Sequence, residues 1–359
     1  SIQAEATALE RGSYIHDVLE SFYLDIQSSL GEPVTTQVDD SAAWQGRLLD
    51  VALDSLDETL TEDATPFQEG WLTSILAGLG DQAANDYYGE TVGSEQEIGV
   101  LRRFLQEETA MGRLTVRPTW FETRFGPERP FDRTVIQEQP VEVETPHGPV
   151  SITGTVDRID VSRGDEMTEL VVRDYKTGSN LPNEAKTLDG LRLQLPLYAL
   201  MAESALEARS AHPSVTVGGA YYQVSPPASI SHNSGQIGSR ERSQHQRYGD
   251  GDEPLMAWRY PRFDTHVAFR EFIEREVPNR IGQIAAGIEG GSFYPTVLDP
   301  ADAGCEYCGY QHVCDVRSHQ RHEVREHLER PDVDISSYIP PLATGRSDET
   351  AVADDRGDA

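Results

Sequence analysis

Apolar residues return every three or four positions near the start of the chain. Ile15, Val18, Leu19, Phe22 and Ile26 form one stripe, and this spacing predicts an amphipathic helix over about residues 8 to 27. From residue 41 to 110 the period stays helical but the surface turns acidic, with Leu48, Leu49, Leu56, Leu72, Ile75, Leu101 and Leu105 as the apolar positions. This stretch is expected to be a helical insertion. The pattern then changes period. Residues 115–126 are rich in aromatic and branched side chains and close on Gly126, Val141–Glu144 alternates, and residues 150–161 and 170–175 read as two further strands. A helix is expected over residues 191–208, with Asp189 as a candidate N-cap, followed by a strand over 215–224. Residues 225–255 are polar and turn-rich and are expected to be a mobile loop, and a helix is predicted over 266–288. Strands in series, then helix, then strand, predict a mixed sheet with helices packed on it.

Composition bounds the class. The chain has 359 residues, 37% of them hydrophobic, enough for a sizeable core. No run approaches the roughly 18 consecutive apolar residues of a membrane span, and the first residues lack a signal pattern, so a soluble cytoplasmic protein without a membrane partner is expected. The first residue is Ser1 rather than methionine, which is read as a fragment of a longer protein. The formal net charge is -31, with acidic residues dispersed along the chain. Such a surface would repel nucleic acid in dilute salt. It is also the bias of proteomes adapted to multimolar salt, where the Debye length falls to about 3 Å or less and global charge no longer decides what binds. A halophilic, haloarchaeal-type source is the expectation.

Three cysteines, Cys305, Cys308 and Cys314, make a C-x2-C-x5-C cluster. An odd, clustered set without a secretory signal points to a metal or iron-sulfur site rather than disulfides. A Cys3His zinc site completed by His312, His319 or His322 also fits the spacing.

Of the thirty basic residues only Lys176 and Lys186 are lysine. Lys176 ends the strand-like Val171-Val172-Arg173-Asp174-Tyr175-Lys176, before Thr177-Gly178. An ammonium is a compact point charge that can be desolvated, which a guanidinium is not. Upstream, Gly154-Thr155-Val156-Asp157-Arg158-Ile159-Asp160 supplies carboxylates on another strand-like run. Asp157 and Asp174 are natural ligands for Mg²⁺ or Mn²⁺, the Tyr175 carbonyl could add a neutral oxygen, and Lys176 could orient water or hold a phosphate. The pair reads as a metal-dependent phosphodiesterase site; either run alone is a strand ending in a turn. Gln194 and Tyr198 lie four apart on one helix face, either to contact a nucleic-acid strand near the metal or as the polar edge of a core helix. Arg240, Arg242 and Arg247 could guide a strand, or simply be solvated.

Taken in order, Arg11-Gly12-x-x-x-His16, Phe121-Glu122-x-x-Phe125-Gly126, Gly154 to Asp160, Asp174-Tyr175-Lys176-Thr177-Gly178, Gln194-x-x-x-Tyr198 and the cysteine cluster resemble the PD-(D/E)XK nuclease superfamily. Within it the chain looks like the RecB-like nuclease domain of AddB-type helicase-nucleases and the related CRISPR adaptation exonucleases. The resemblance spans about residues 11 to 317. It implies a restriction-endonuclease-like α/β fold: a mixed β-sheet core flanked by helices, with residues 1–330 as the nuclease domain and a cysteine-cluster cap over 290–317; after Arg330 the composition, Pro, Ser, Thr and Asp without period, predicts an acidic, largely disordered tail over 331–359. It implies His16, Asp157 and Asp174 as metal ligands, Lys176 as the catalytic lysine, and Gln194 and Tyr198 as the accessory motif. It further implies a [4Fe-4S] cluster on Cys305, Cys308 and Cys314, its fourth ligand upstream of this chain. The activity implied is a DNA nuclease, exonucleolytic on single strands or unwound ends, acting in repair or recombination beside a helicase domain or subunit. A catalytically silent DNA-binding or scaffold module, and a phosphodiesterase acting on RNA, are the alternatives.

Overall fold

The computed structural model describes residues 8–31, 38–59, 71–72, 74–80, 98–111, 116–128, 134–178, 193–207, 212–224, 231–239 and 263–291. Helices α1 (Ala8–Leu30), α2 (Ala42–Thr59) and α3 (Val100–Met111) come first. They precede β1 (Arg117–Phe125), β2 (Thr134–Gln137), β3 (Val141–Val143), β4 (Val150–Ile152), β5 (Gly154–Arg163) and β6 (Thr168–Lys176). Helix α4 (Gln194–Glu207) leads to β7 (Ser214–Gln223) and β8 (Ser231–Gly238). Helix α5 (His266–Glu271), a π-helical turn (Phe272–Glu276) and α6 (Val277–Glu289) follow. Among the described residues, no helix is long and apolar enough to cross a membrane.

Six strands form one mixed sheet in the order β2-β1-β5-β6-β7-β8, and β3 and β4 form a separate pair. Strand β5 runs antiparallel to β1 and β6, β6 runs parallel to β7, and α4 makes the crossover between those two. This is the restriction-endonuclease-like arrangement expected. The α1 stripe is fully buried, and it shares one core with Leu48 and Leu49 of α2, Leu101 and Phe104 of α3, and Phe121, Val171, Tyr175 and Tyr222 of the sheet. The described helices of the 41–110 stretch are therefore a layer on the sheet. Val171 and Tyr175 join that layer while Leu170 and Val172 alternate away from it, and α4 packs on β6 and β7 through Leu195, Ala199, Met201 and Ala202. Gly219 lets β7 lie close to β6, since a Cβ there would stand 2.7 Å from Val172 Cγ2.

Beneath the helical layer lies a buried ionic network. Arg158 donates through Nε to Asp160 at 2.6 Å and through Nη1 to Glu108 of α3 at 2.9 Å, while Arg173 Nε donates to Asp160 at 2.7 Å. The Tyr23 hydroxyl donates to Glu108, the Tyr222 hydroxyl donates to the same carboxylate at 3.2 Å, and Arg158 Nη1 lies 3.4 Å from the Tyr175 hydroxyl. Both guanidiniums are at most 1% exposed. Burial opposes the charge of Arg158, but Asp160 and Glu108 more than compensate and raise its pKa, and Asp160, held by two arginines, stays below the usual carboxylate range in spite of its burial.

Three local expectations need correction. The run 150–161 is two strands broken at Thr153, because β4 pairs with β3 whereas β5 joins the large sheet. The polar stretch 225–255 contains β8, whose backbone completes a ladder with β7 although its sequence has no apolar alternation. The helix predicted over 266–288 is interrupted by the π-helical turn at Phe272–Glu276. The cysteine cluster, Arg240, Arg242, Arg247, Asp189 and the tail lie outside the described residues. The chain divides into two compact units, Ser1–Val143 with Ser151–Val277, and Glu144–Val150 with Pro278–Ala359. Every candidate site residue in the described part belongs to the first. In the second, α6 approaches the Thr145–Gly148 turn so closely that a Cβ on Gly282 would clash with the Thr145 side chain.

Candidate metal centre

The pairing of Arg158 with Arg173 sets the site, because Asp157 precedes the first and Asp174 follows the second, so both aspartates emerge at the same end of the β5–β6 hairpin. Strand β1 adds Glu122 beside Asp157, since its neighbours Phe121 and Thr123 pair with Arg158 and Val156. Helix α1 delivers His16, next to the buried Ile15. One turn earlier Gly12 lets the helix close on β6, as a Cβ there would stand 3.2 Å from Thr177 Oγ1.

His16 bridges these elements. Its Nδ1 lies 2.7 Å from Glu122 Oε1 and 3.7 Å from Asp157 Oδ2, and its Nε2 lies 3.2 Å from the Tyr175 carbonyl oxygen. The backbone N–H of Tyr175 donates to Asp157 Oδ2 at 2.7 Å. Tyr175 thus touches the cage through its N–H and carbonyl and the buried network through its hydroxyl.

The second cluster surrounds Lys176. Its Nζ forms an ion pair with Asp174, donates to Gln194 Oε1 at 3.2 Å and sits 5.3 Å over the Tyr221 ring. Gln194 Nε2 donates to the Tyr198 hydroxyl at 3.0 Å. Asp174, Lys176, Gln194 and Tyr198 thus form a chain of contacts, in which the two α4 side chains, expected on a nucleic-acid strand or at a polar edge, reach Lys176 through Gln194.

The electrostatics suit a cation. Burial and then the neighbouring Asp174 push Asp157 well above the usual carboxylate range. Burial also raises Asp174, with Lys176 pulling the other way. For His16 burial disfavours the charge, but the Glu122 hydrogen bond and the fields of Asp157, Glu122 and Asp174 override it and push the pKa up to about 9. The metal-free cage therefore holds an imidazolium at neutral pH. Because 9 lies above the 6.5 of the unfolded chain, this contact stabilises the fold fully below pH 6.5 and is lost as pH rises through 9. The stability difference between the metal-free wild type and His16→Gln is accordingly expected to shrink across that window, as read by denaturant unfolding at several pH values.

His16, Glu122 and Asp157 each offer a ligand atom, all within 4.8 Å of one another. Carboxylate oxygens, one imidazole and a backbone carbonyl are the donor set of a Mg²⁺ or Mn²⁺ site, and their excess negative charge is what a divalent ion would neutralise. The residues present fit such an ion. His16, Asp157, Asp174 and Tyr175, separated by up to 159 positions in the chain, are brought together. Two neighbours were missed as site residues. Glu122 stands in the Phe121-Glu122-x-x-Phe125-Gly126 motif of the resemblance but is given no role there, and Tyr221 reads in sequence only as a core aromatic.

The family model of the PD-(D/E)XK nuclease superfamily matches residues 2–315. The chain belongs to that superfamily, whose members are typically metal-dependent nucleases. No curated protein matches the chain.

Proposed function

We propose that this protein is a metal-dependent deoxyribonuclease in which His16, Asp157, Asp174 and the Tyr175 carbonyl hold Mg²⁺ or Mn²⁺ and Lys176 is the catalytic lysine. The observation that carries this reading is the convergence of these groups, from α1, β5 and β6, at one end of the sheet. A divalent ion, when bound, would lower the pKa of an attacking water and neutralise phosphate charge. Lys176 then offers its Nζ to a phosphate oxygen or to the attacking water, its direction set by Gln194 and by the Tyr221 ring. Gln194, itself bonded to Tyr198, holds Lys176 beside Asp174.

The finer reading follows the motif order. It is exonucleolytic cleavage of single strands or unwound ends, in repair or recombination, beside a helicase domain or subunit. Cys305, Cys308 and Cys314 would carry a [4Fe-4S] cluster. The charge of -31 supports a halophilic setting in the cytoplasm, where salt screens the repulsion between this surface and DNA.

The test is digestion of end-labelled single- and double-stranded DNA, with an RNA control, in molar KCl with Mg²⁺, Mn²⁺ or EDTA, beside Lys176→Ala. Metal-dependent DNA cleavage that the variant loses is expected. Cleavage of RNA alone would move the substrate, and folded protein that binds DNA without cutting it would make the chain a binding module.

A further inference from the structure

Glu122 stands inside β1 with a φ of 39°, in the left-handed region that a side-chain-bearing residue adopts only at a cost. Against that cost stands a close contact, the 2.7 Å hydrogen bond from His16 Nδ1 to Glu122 Oε1. The other imidazole nitrogen, Nε2, faces the Tyr175 carbonyl at 3.2 Å, at the end of β6 that also carries Asp174 and Lys176. With Nδ1–H committed to a carboxylate, Nε2 is the nitrogen left to give up its proton. The strain and the contact are independent observations that meet on one side chain.

We infer that Glu122 is a positioning residue of the metal centre: its carboxylate takes the Nδ1–H of His16, fixes the tautomer and the ring orientation, and leaves Nε2 to bind the ion beside the Tyr175 carbonyl. A carboxylate behind a ligating histidine orients the ring and raises its basicity, and removing such a partner costs about 10–100-fold in metal affinity. The role rests on the metal-dependent reading above but not on the identity of the substrate.

The experiment is Mn²⁺ titration of the metal-free protein in molar KCl, read by the EPR signal of the free ion, for wild type, Glu122→Ala, Glu122→Gly, Glu122→Gln, His16→Ala and the His16→Ala/Glu122→Ala double variant. Glu122→Ala and Glu122→Gly are expected to weaken Mn²⁺ by about 10–100-fold. Glu122→Gln, whose amide oxygen can still accept from Nδ1, should recover most of the loss. In the His16→Ala background, Glu122→Ala should cause no further loss. Thermal melts separate position from fold: the glycine variant should melt above the alanine variant, since only glycine takes that φ without strain, while both bind Mn²⁺ equally poorly. A loss that adds in full to that of His16→Ala would make Glu122 a direct ligand, and wild-type affinity in Glu122→Ala would deny it any role. Either result overturns the inference. A wild type that binds Mn²⁺ yet cuts no DNA would sink the nuclease reading and leave this one standing, whereas a wild type that binds no Mn²⁺ would overturn both.

Discussion

Asp174→Ala is expected to lower metal-dependent cleavage by about 10³-fold or more, while the metal-free protein stays folded and still binds DNA. The substitution removes one proposed ligand and at the same time releases Lys176, whose Nζ is paired with that carboxylate. Losing a single preorganised charge-stabilising group costs about 10²–10³ in rate, and here two functions go together. Stability should move the other way. Asp174 is 1% exposed and burial pushes its pKa up, so the metal-free fold gives up an unfavourable buried charge when it is replaced. Single-turnover cleavage and a melt in EDTA measure the two halves. Cleavage within about tenfold of wild type, only 1.4 kcal/mol of barrier, would remove Asp174 from the metal set.

The largest loss of stability is expected at a residue that touches neither metal nor substrate. Glu108→Ala leaves Arg158, 1% exposed, with Asp160 as its one remaining carboxylate partner among the described residues, already shared with Arg173. It also strips the Tyr23 and Tyr222 hydroxyls of their acceptor. Breaking a buried ion pair from one side costs about 3–5 kcal/mol, and molar salt screens such a pair far less than one at the surface. Guanidinium unfolding of the metal-free protein would show the loss. Glu271→Ala, which removes an exposed pair with Arg275, is the control and should leave the midpoint where it is. If both variants unfold alike, the network is not what ties α3 to the sheet.

How far the molecule could be read from its residues depended on the range of the interaction. The α1 stripe, the strands of β5 and β6 and the helix of α4 announce themselves through local period, and the structure places them where that period says. The order of short motifs carried the architecture and the choice of Asp157, Asp174 and Lys176. What could not be read is what depends on distant partners. Strand β8 has no apolar alternation, and its ladder with β7 is made by backbone groups. The break at Thr153 follows from β4 choosing β3. Arg158 and Asp160 were legible as charges on a strand, but nothing local says that Glu108, fifty residues away, meets them. Glu122 belongs to the same class, since its backbone angle and its histidine partner are both products of tertiary packing.

The β5–β6 pairing has a consequence for assembly of the chain. Side chains on a strand change face at every step, so a hairpin one residue out of register would carry Arg173 away from Asp160 to the opposite face and take Asp174 away from Asp157 and His16. A mispaired hairpin of hydrophobic strands can persist as a trap, whereas this one would be rejected by its own charges. The carboxylates proposed to hold the ion and the arginines beneath them would then act during folding as a check on alignment, before any substrate is met.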